Sequence, residues 1–448
     1  MARPRPLSGF PEWTPDQRIV EQVLLDHLRG TFELHGFGSL ETRAVEPLTA
    51  LLAEGETSKE VYALRRASAD PDDGQGDLGL HFDLTVPTAR YVLEHAPTLA
   101  FPWRRYQIQK SWRGERPQEG RYREFLQADI DVIGRGSLPV HYDAEMPVVM
   151  AEALRGLPLP PITVHANNRK VAEGFYRGLG IADPVPVLRT VDKIDKVGPA
   201  EVRRLLVEQV GCTAAQAEAC LGLAAIRTAD GSFADQVRAL GVSDDLLDEG
   251  LAELAALVEE VHQAAPGLLV ADLRIARGLD YYTGTVYETT LAGHEDLGSI
   301  CSGGRYDDLA RGAEEVYPGV GISLGVTRLL GRLFGRGALR PSRPTPTCVL
   351  VALPTEADRA ASAATAHALR GRGIAAEVAP EPVKFGKQIR YAERRGIPFV
   401  WFPGRDGGPD EVKDIRSGAQ VPAAAARWSP PPDDLHPRVL GPEGADAR

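Results

Sequence analysis

The sequence predicts an α+β protein of several domains, and three observations predict it. Strand-like and helix-like stretches fall into separate blocks instead of alternating along the chain. Within residues 80–139, short runs alternate polar and apolar residues at period two, the repeat of a strand with one face buried. Near the end, a Gly-, Pro- and Arg-rich stretch introduces a compact strand–helix–strand pattern.

Taken in order, Thr14-Pro15-Asp16-Gln17 reads as a capping box with proline at the first helical position. Ile19, Val20, Val23, Leu24, Leu28 and Phe32 continue at helical spacing until Gly36 and Gly38 stop it. Strands with long turns are expected over 80–139, and helices rich in Ala, Leu, Glu and Arg over 168–262. Strand-like text returns over 268–288, and a small-residue helix is expected from Gly319. The stretch 336–346 is expected to be a linker before a strand at 348–353, a helix at 360–371 and a strand at 399–402. Residues 421–448 hold six prolines and little apolar periodicity, so a loosely ordered tail is expected.

The chain has 448 residues, too many for one ordinary core and enough for two to four domains. Apolar residues at 43% and charged residues at 25% match a soluble globular protein. No apolar run approaches the length of a membrane span, and Ser8-Gly9-Phe10-Pro11 stands where a signal core would begin. Four scattered cysteines fit neither a disulfide framework nor a zinc site, which points to a reducing, cytoplasmic setting. A net charge of −11 excludes a generic basic nucleic-acid binder, though not a local basic site on an acidic body.

Three runs sort side chains by chemistry. Read as a strand, 82–86 places Asp83 and Thr85 on one face. The run 126–132 groups Gln127, Asp129 and Asp131, and 106–113 groups Gln107, Gln109, Ser111 and Arg113. A sheet with one face in water is one reading. Aspartate is depleted in strands, so three of them in mid-strand favour the lining of a site. Between the last two runs lies an arginine-rich hairpin loop, 113–125; with the strand before it, residues 103–125 carry seven Lys/Arg against three Asp/Glu. Guanidinium forks bind phosphate oxygens in pairs, which suits phosphate recognition without a glycine-rich phosphate loop.

Trp112-Arg113-Gly114-Glu115 with Arg121-Tyr122-Arg123-Glu124-Phe125 resembles motif 2 of the class II aminoacyl-tRNA synthetases. Arg277-Gly278-Leu279-Asp280-Tyr281-Tyr282-Thr283-Gly284 is similar to the signature that marks the histidyl-tRNA synthetase family within that class. Gly303-Gly304-Arg305-Tyr306-Asp307 and the run 319–328 resemble its glycine-rich strand and motif 3. Val412-Lys413-Asp414-Ile415 with Gly418 and Gln420 resembles the end of its anticodon-binding domain. The likeness runs from about Gly9 to Gln420.

The resemblance implies a class II antiparallel sheet flanked by helices, with a helical insertion and a C-terminal α/β anticodon-binding domain. The implied boundaries are 1–167 and 263–335 for the catalytic domain, 168–262 for the insertion, 336–346 for a linker, 347–420 for the anticodon domain and 421–448 for the tail. It implies ATP as a substrate, magnesium with it, and L-histidine and histidine tRNA as partners of a cytoplasmic homodimer without a membrane anchor. Asp83, Thr85 and Gln127 would hold the histidine α-amino group, Asp131 and Tyr282 would flank its imidazole, Tyr281 would complete the pocket wall, and Leu84 would also be a histidine-binding residue. Arg113 and Arg277 would be catalytic, reaching the histidine carboxylate and the α-phosphate. Glu115, Arg121, Phe125 and Arg328 would join Arg113 around ATP. On the helix near 384–395, with five bases and one acid, Phe385, Ile389 and Ala392 would pack inward. Lys384, Lys387, Gln388, Tyr391 and Arg395 would face tRNA.

Three positions depart from the family pattern: Thr327 replaces an acidic residue in motif 3, Arg43 replaces a proline in motif 1, and His81 stands where arginine is common. Two rival readings belong beside the synthetase. A histidine-sensing regulatory relative shares the fold but lacks the anticodon domain and ATP-handling arginines, whereas this chain keeps Arg113, Arg121, Arg277 and Arg328. A duplicated synthetase with a specialised role is the other.

Overall fold

The computed structural model describes residues 5–52, 60–67, 78–118, 120–276, 281–404 and 408–441. They form two compact units, Met1–Pro11 with Leu28–Arg332 and Glu12–His27 with Leu333–Arg448. Helix α1 (Pro15–Leu34) begins where the capping signal stands, with Gln17 Oε1 accepting from the Thr14 N–H at 3.0 Å. Gly36, at φ +77°, lies just beyond its end, a conformation that costs glycine little.

The larger unit is built on a sheet of nine strands among the described residues: β1 (Gly38–Ser39), β2 (Trp103–Trp112), β3 (Glu124–Ile133), β4 (Ile162–Asn168), β5 (Arg227–Thr228), β6 (Leu269–Asp272), β7 (Thr285–Leu291), β8 (Cys301–Tyr306) and β9 (Gly319–Gly325). Their order is β1-β2-β3-β9-β8-β7-β4-β6-β5. Pairing is antiparallel except for β1 with β2 and β4 with β6. The flanking helices include α2 (Thr85–His95) and α3 (His141–Arg155). The stretch from Arg169 to Ala264 is helical apart from β5 and its turns, beginning with α4 (Arg169–Gly178) and ending with α5 (Asp245–Ala264). These two cross with their backbones nearly touching. A Cβ at Gly174 would lie 2.3 Å from Leu247 N, and one at Gly250 would lie 2.6 Å from Val171 N.

Two expectations are corrected here. The run 82–86 is not a strand: Asp83 sits in a bend and accepts the Val86 N–H at 3.1 Å, just ahead of α2. A short carboxylate there satisfies an orphan helix donor, and Pro87 sits in the first turn, where it lacks nothing by having no N–H. The small-residue run from Gly319 is β9 first; helix α6 (Val326–Gly335) follows it.

The smaller unit holds a five-stranded sheet from β10 (Val349–Val351), β11 (Ala376–Val378), β12 (Phe399–Phe402), β13 (Glu411–Asp414) and β14 (Gln420–Pro422), in the order β11-β10-β12-β13-β14. Helices α7 (Arg359–Arg370) and α8 (Phe385–Arg395) belong to this unit. One apolar cluster gathers Val349, Leu369 and Trp401, and another gathers Leu350, Ala392 and Val400.

The stretch expected to be a loose tail is fastened down as far as Leu440. Trp428 packs edge-on against Phe399 and Trp401, with centroids 5.3 and 5.7 Å away. Arg416 grips both oxygens of Asp434 at 2.7 and 2.8 Å. Arg343 donates to the carbonyls of Asp434 and Leu435. Val439–Leu440 pairs with Arg340–Pro341, so the expected linker contains a strand. Prolines give such a segment few backbone donors, and anchoring therefore falls to a few side chains with no periodic signature.

Candidate active site

Strands β2, β3 and β9 carry the polar face that the alternation predicts. In register, Gln127 stands between Gln109 and Gly325, Asp129 between Gln107 and Ser323, and Asp131 between Arg105 and Gly321. The small residues of β9 make room for these acids. A Cβ at Gly321 would sit 2.2 Å from Asp131 Oδ1, and one at Gly304 on β8 would sit 3.0 Å from the Tyr282 ring. The glycine run thus serves a buried carboxylate and an aromatic wall.

Arg105 is fully buried and forms an ion pair with Asp131 Oδ2 at 2.7 Å, while the Tyr306 hydroxyl donates to Asp131 Oδ1 at 2.7 Å. Burial raises the Asp131 pKa, and Arg105 and Tyr306 oppose the rise. Asp129 is pushed up to about 7, chiefly by burial, against the pull of Arg105. Asp83 is also raised by burial, opposed by the Val86 N–H and by Arg113. Gln127 donates from Nε2 to Ser323 Oγ at 2.7 Å. Three buried oxygens on this face, Asp83 Oδ2, Gln127 Oε1 and Asp129 Oδ1, accept no hydrogen bond among the described residues.

Tyr281 and Tyr282 stand edge to face, with centroids 4.6 Å apart, and burial raises both phenols. Thr85 is the half-buried first residue of α2. Leu84, between Asp83 and Thr85, has its side chain fully buried in the core, and its carbonyl accepts the Thr88 hydroxyl at 2.7 Å. Arg277, with Gly278, Leu279 and Asp280, lies outside the described residues.

Beside this face opens a cavity of about 240 Å³ lined by Glu60, Arg113, Glu115, Arg121, Phe125 and Arg328, among others. Arg113 donates from Nε to the Phe82 carbonyl at 3.0 Å, with its guanidinium 5.1 Å from the Phe125 ring centroid. That brace holds the fork beside an aromatic face. Arg121 pairs with Glu115 at 3.3 Å, and Arg328 donates to the Leu297 carbonyl. Sequence reasoning missed Glu60, whose carbonyl accepts the Gly114 N–H at 2.7 Å. Its carboxyl is raised by burial and by Glu115. Nothing in the residues around Glu60 marks it. A neighbouring cavity of about 600 Å³ shares Arg121, Ser299 and Arg328 and extends to Lys196, Arg227 and Arg274.

The three departures have structural roles. Thr327 is buried and its Oγ1 accepts the Leu126 N–H at 2.8 Å. Arg43 bonds the buried Glu46 at 2.9 Å, and Arg90 holds the same carboxylate at 2.9 Å. His81 is fully buried, with Nε2 2.6 Å from the Lys110 carbonyl.

Residues 9–329 match the family model for histidyl-tRNA synthetase. The chain belongs to the histidyl-tRNA synthetase family. It is 59% identical over 454 residues to the histidine–tRNA ligase of Cutibacterium acnes, covering 98% of this chain and 100% of that relative. It is 58% identical over 453 residues to the histidine–tRNA ligase of Micrococcus luteus, covering 98% and 99%. The crystal structure of histidyl-tRNA synthetase from a Nostoc species superposes with a TM-score of 0.84 at 35% identity, over 95% of this chain and 98% of that one. The mixed α+β fold with its antiparallel-dominated sheet is the fold of this family.

In the C-terminal unit, Lys387 and Arg395 are exposed on α8, and Lys384 is exposed just ahead of it. Tyr391 is half-buried, its hydroxyl 3.3 Å from Glu377, with Arg395 over its ring at 5.7 Å. Gln388 does not share that surface. It is buried, accepts the Leu353 N–H at 2.9 Å, and donates to the carbonyls of Leu353 at 2.8 Å and Val383 at 2.6 Å. It stands one turn from Phe385, so the inward stripe of α8 is wider than its apolar residues alone imply.

Proposed function

We propose that the protein is a histidine–tRNA ligase: it joins L-histidine to ATP as histidyl-adenylate, releases pyrophosphate, and transfers histidine to the 3′ end of histidine tRNA. Supporting this reading is one juxtaposition, the buried acceptor face of β3 and Asp83 beside the arginine-lined cavity, in a member of this family. An α-ammonium needs acceptors and a carboxylate, and that face offers both. Asp83, Thr85 and Gln127 hold the ammonium, Asp131 and Tyr282 flank the imidazole, and Tyr281 completes the pocket wall. A triphosphate needs cations, and Arg113, Arg121 and Arg328 supply them.

The histidine carboxylate oxygen attacks the α-phosphorus, and the bond to the bridging oxygen of pyrophosphate breaks. Arg113 and Arg277 stabilise the negative charge that builds on the phosphorus oxygens, the electrostatic term that usually dominates such steps. Glu115 and Phe125 hold adenine by its amino group and ring face. Among the described residues no group of three His, Cys, Asp or Glu side chains could hold a metal ion. Magnesium arriving with the triphosphate would be held largely by phosphate oxygens and water.

Residues 347–420, led by Lys384, Lys387, Tyr391 and Arg395, read the anticodon, and 168–262 approach the acceptor stem. The working form is a cytoplasmic homodimer; no helix among the described residues is long and apolar enough to cross a membrane. The test is ATP–pyrophosphate exchange with each of the twenty amino acids, then charging of histidine tRNA. Exchange with histidine alone, followed by charging, supports the reading. Histidine binding without exchange moves the protein to the sensor class.

A further inference from the structure

We infer that Asp129 is a further substrate-binding residue, its Oδ1 being the third acceptor, with Asp83 Oδ2 and Gln127 Oε1, for the α-ammonium of histidine. The inference rests on the ligase reading above and deepens it.

Asp131, two residues away on the same face, has both oxygens engaged, one by Arg105 and one by Tyr306. Asp129 is only 3% exposed, yet its Oδ1 meets no donor among the described residues. Its orientation is set from one side: Gln127 Nε2 donates to Ser323 Oγ, and the Ser323 hydroxyl in turn bonds Asp129. That chain leaves Gln127 Oε1 and Asp129 Oδ1 open on one strand face. Asp83 is close enough to Asp129 for their charges to interact. A buried acceptor without a donor is costly to keep, and a substrate that brings a donor relieves the cost. A primary ammonium brings three N–H groups and a positive charge, which matches three open oxygens, two of them on carboxylates.

Two histidine analogues separate this role from one toward the imidazole. Histidinol keeps the ammonium and imidazole and lacks the carboxylate, whereas imidazolepropionate keeps the carboxylate and imidazole and lacks the ammonium. Calorimetric binding of each to the full chain and to Asp129→Asn at pH 8 is the experiment. Histidinol should bind the variant about 10- to 100-fold more weakly, the range for a hydrogen bond to a charged group. Imidazolepropionate should be unchanged. Equal weakening of both, or of neither, overturns the inference. Failure of the unaltered protein to bind either analogue overturns the ligase reading with it. If the variant does not fold, the unaltered protein decides. Asp129 faces Arg105, Asp131, Asp83 and Ser323, and its carboxyl lies at about 7. The ratio of histidinol to imidazolepropionate affinity should therefore fall as pH drops from 8 to 6, and a constant ratio overturns the inference.

Discussion

Replacing Asp129 by asparagine should make the larger unit more stable at pH 8, by an amount that shrinks as the solution is acidified. In the folded protein the carboxyl lies at about 7, against an ordinary value of 3.8, with burial the largest cause. Between those two values the folded form keeps a proton that the unfolded chain has released. Stability supplied by this group is thus complete below the unfolded value and is lost as pH rises through the folded one. At 1.36 kcal/mol per unit, the shift from 3.8 to about 7 gives a cost of at most about 4 kcal/mol at pH 8. Asparagine has nearly the same shape and does not ionise, so it removes this slope. Loss of the bond from Ser323 takes back about 1 kcal/mol, leaving a gain of up to about 3 kcal/mol. Urea unfolding of both proteins at pH 5, 6, 7 and 8 measures it. Parallel stability curves, or a variant weaker than the parent at pH 8, would refute the reasoning. A substitution that stabilises the fold and weakens substrate binding is what a carboxylate kept for function should produce.

Gly321→Ala sets a Cβ 2.2 Å from Asp131 Oδ1 and 2.7 Å from the Ile130 carbonyl; it should cost about 1–3 kcal/mol and raise the KM for histidine but not for ATP. Ending the chain at Gln420 removes Trp428 and Asp434 and should destabilise the C-terminal unit by about 3 kcal/mol or more, read as a lower melting temperature; an unchanged melt contradicts the docked tail. Gln388→Leu leaves the Leu353 N–H and carbonyl without partners, so that unit should lose about 1–3 kcal/mol while pyrophosphate exchange stays intact. Arg113→Ala should lower the exchange rate about 100- to 1000-fold with the fold retained by circular dichroism; near-normal exchange contradicts its assigned role.

Some of this architecture was legible and some was not, for definable reasons. Strands β2 and β3 were readable because alternation over 106–113 and 126–132 runs long enough to favour one period. The run 82–86 was not, since five residues satisfy both a strand alternation and a helix start, and only the Asp83 to Val86 bond decides between them. The strand from Gly319 to Gly325 read as helical because its glycines answer to Asp131 and Tyr306 on neighbouring strands, partners invisible in the local text. Trp428 gave no periodic signal because one indole does the packing of a whole segment.

The site itself shows a sharper limit. Alternation grouped Gln127, Asp129 and Asp131 correctly, and carried one step further back along β2 it also puts Arg105 on that face. What alternation cannot do is divide the group. Asp131 is held by Arg105 and Tyr306, so its carboxylate meets protein donors on both oxygens. Asp129, in an equivalent sequence setting, holds an oxygen that meets none among the described residues. The distinction comes from Arg105 and Tyr306, which converge on the one aspartate from two strands and stop short of the other. A polar face in a sequence therefore identifies where a charged substrate can sit. Which of its oxygens already meet a protein donor is decided by partners that only the folded sheet brings together.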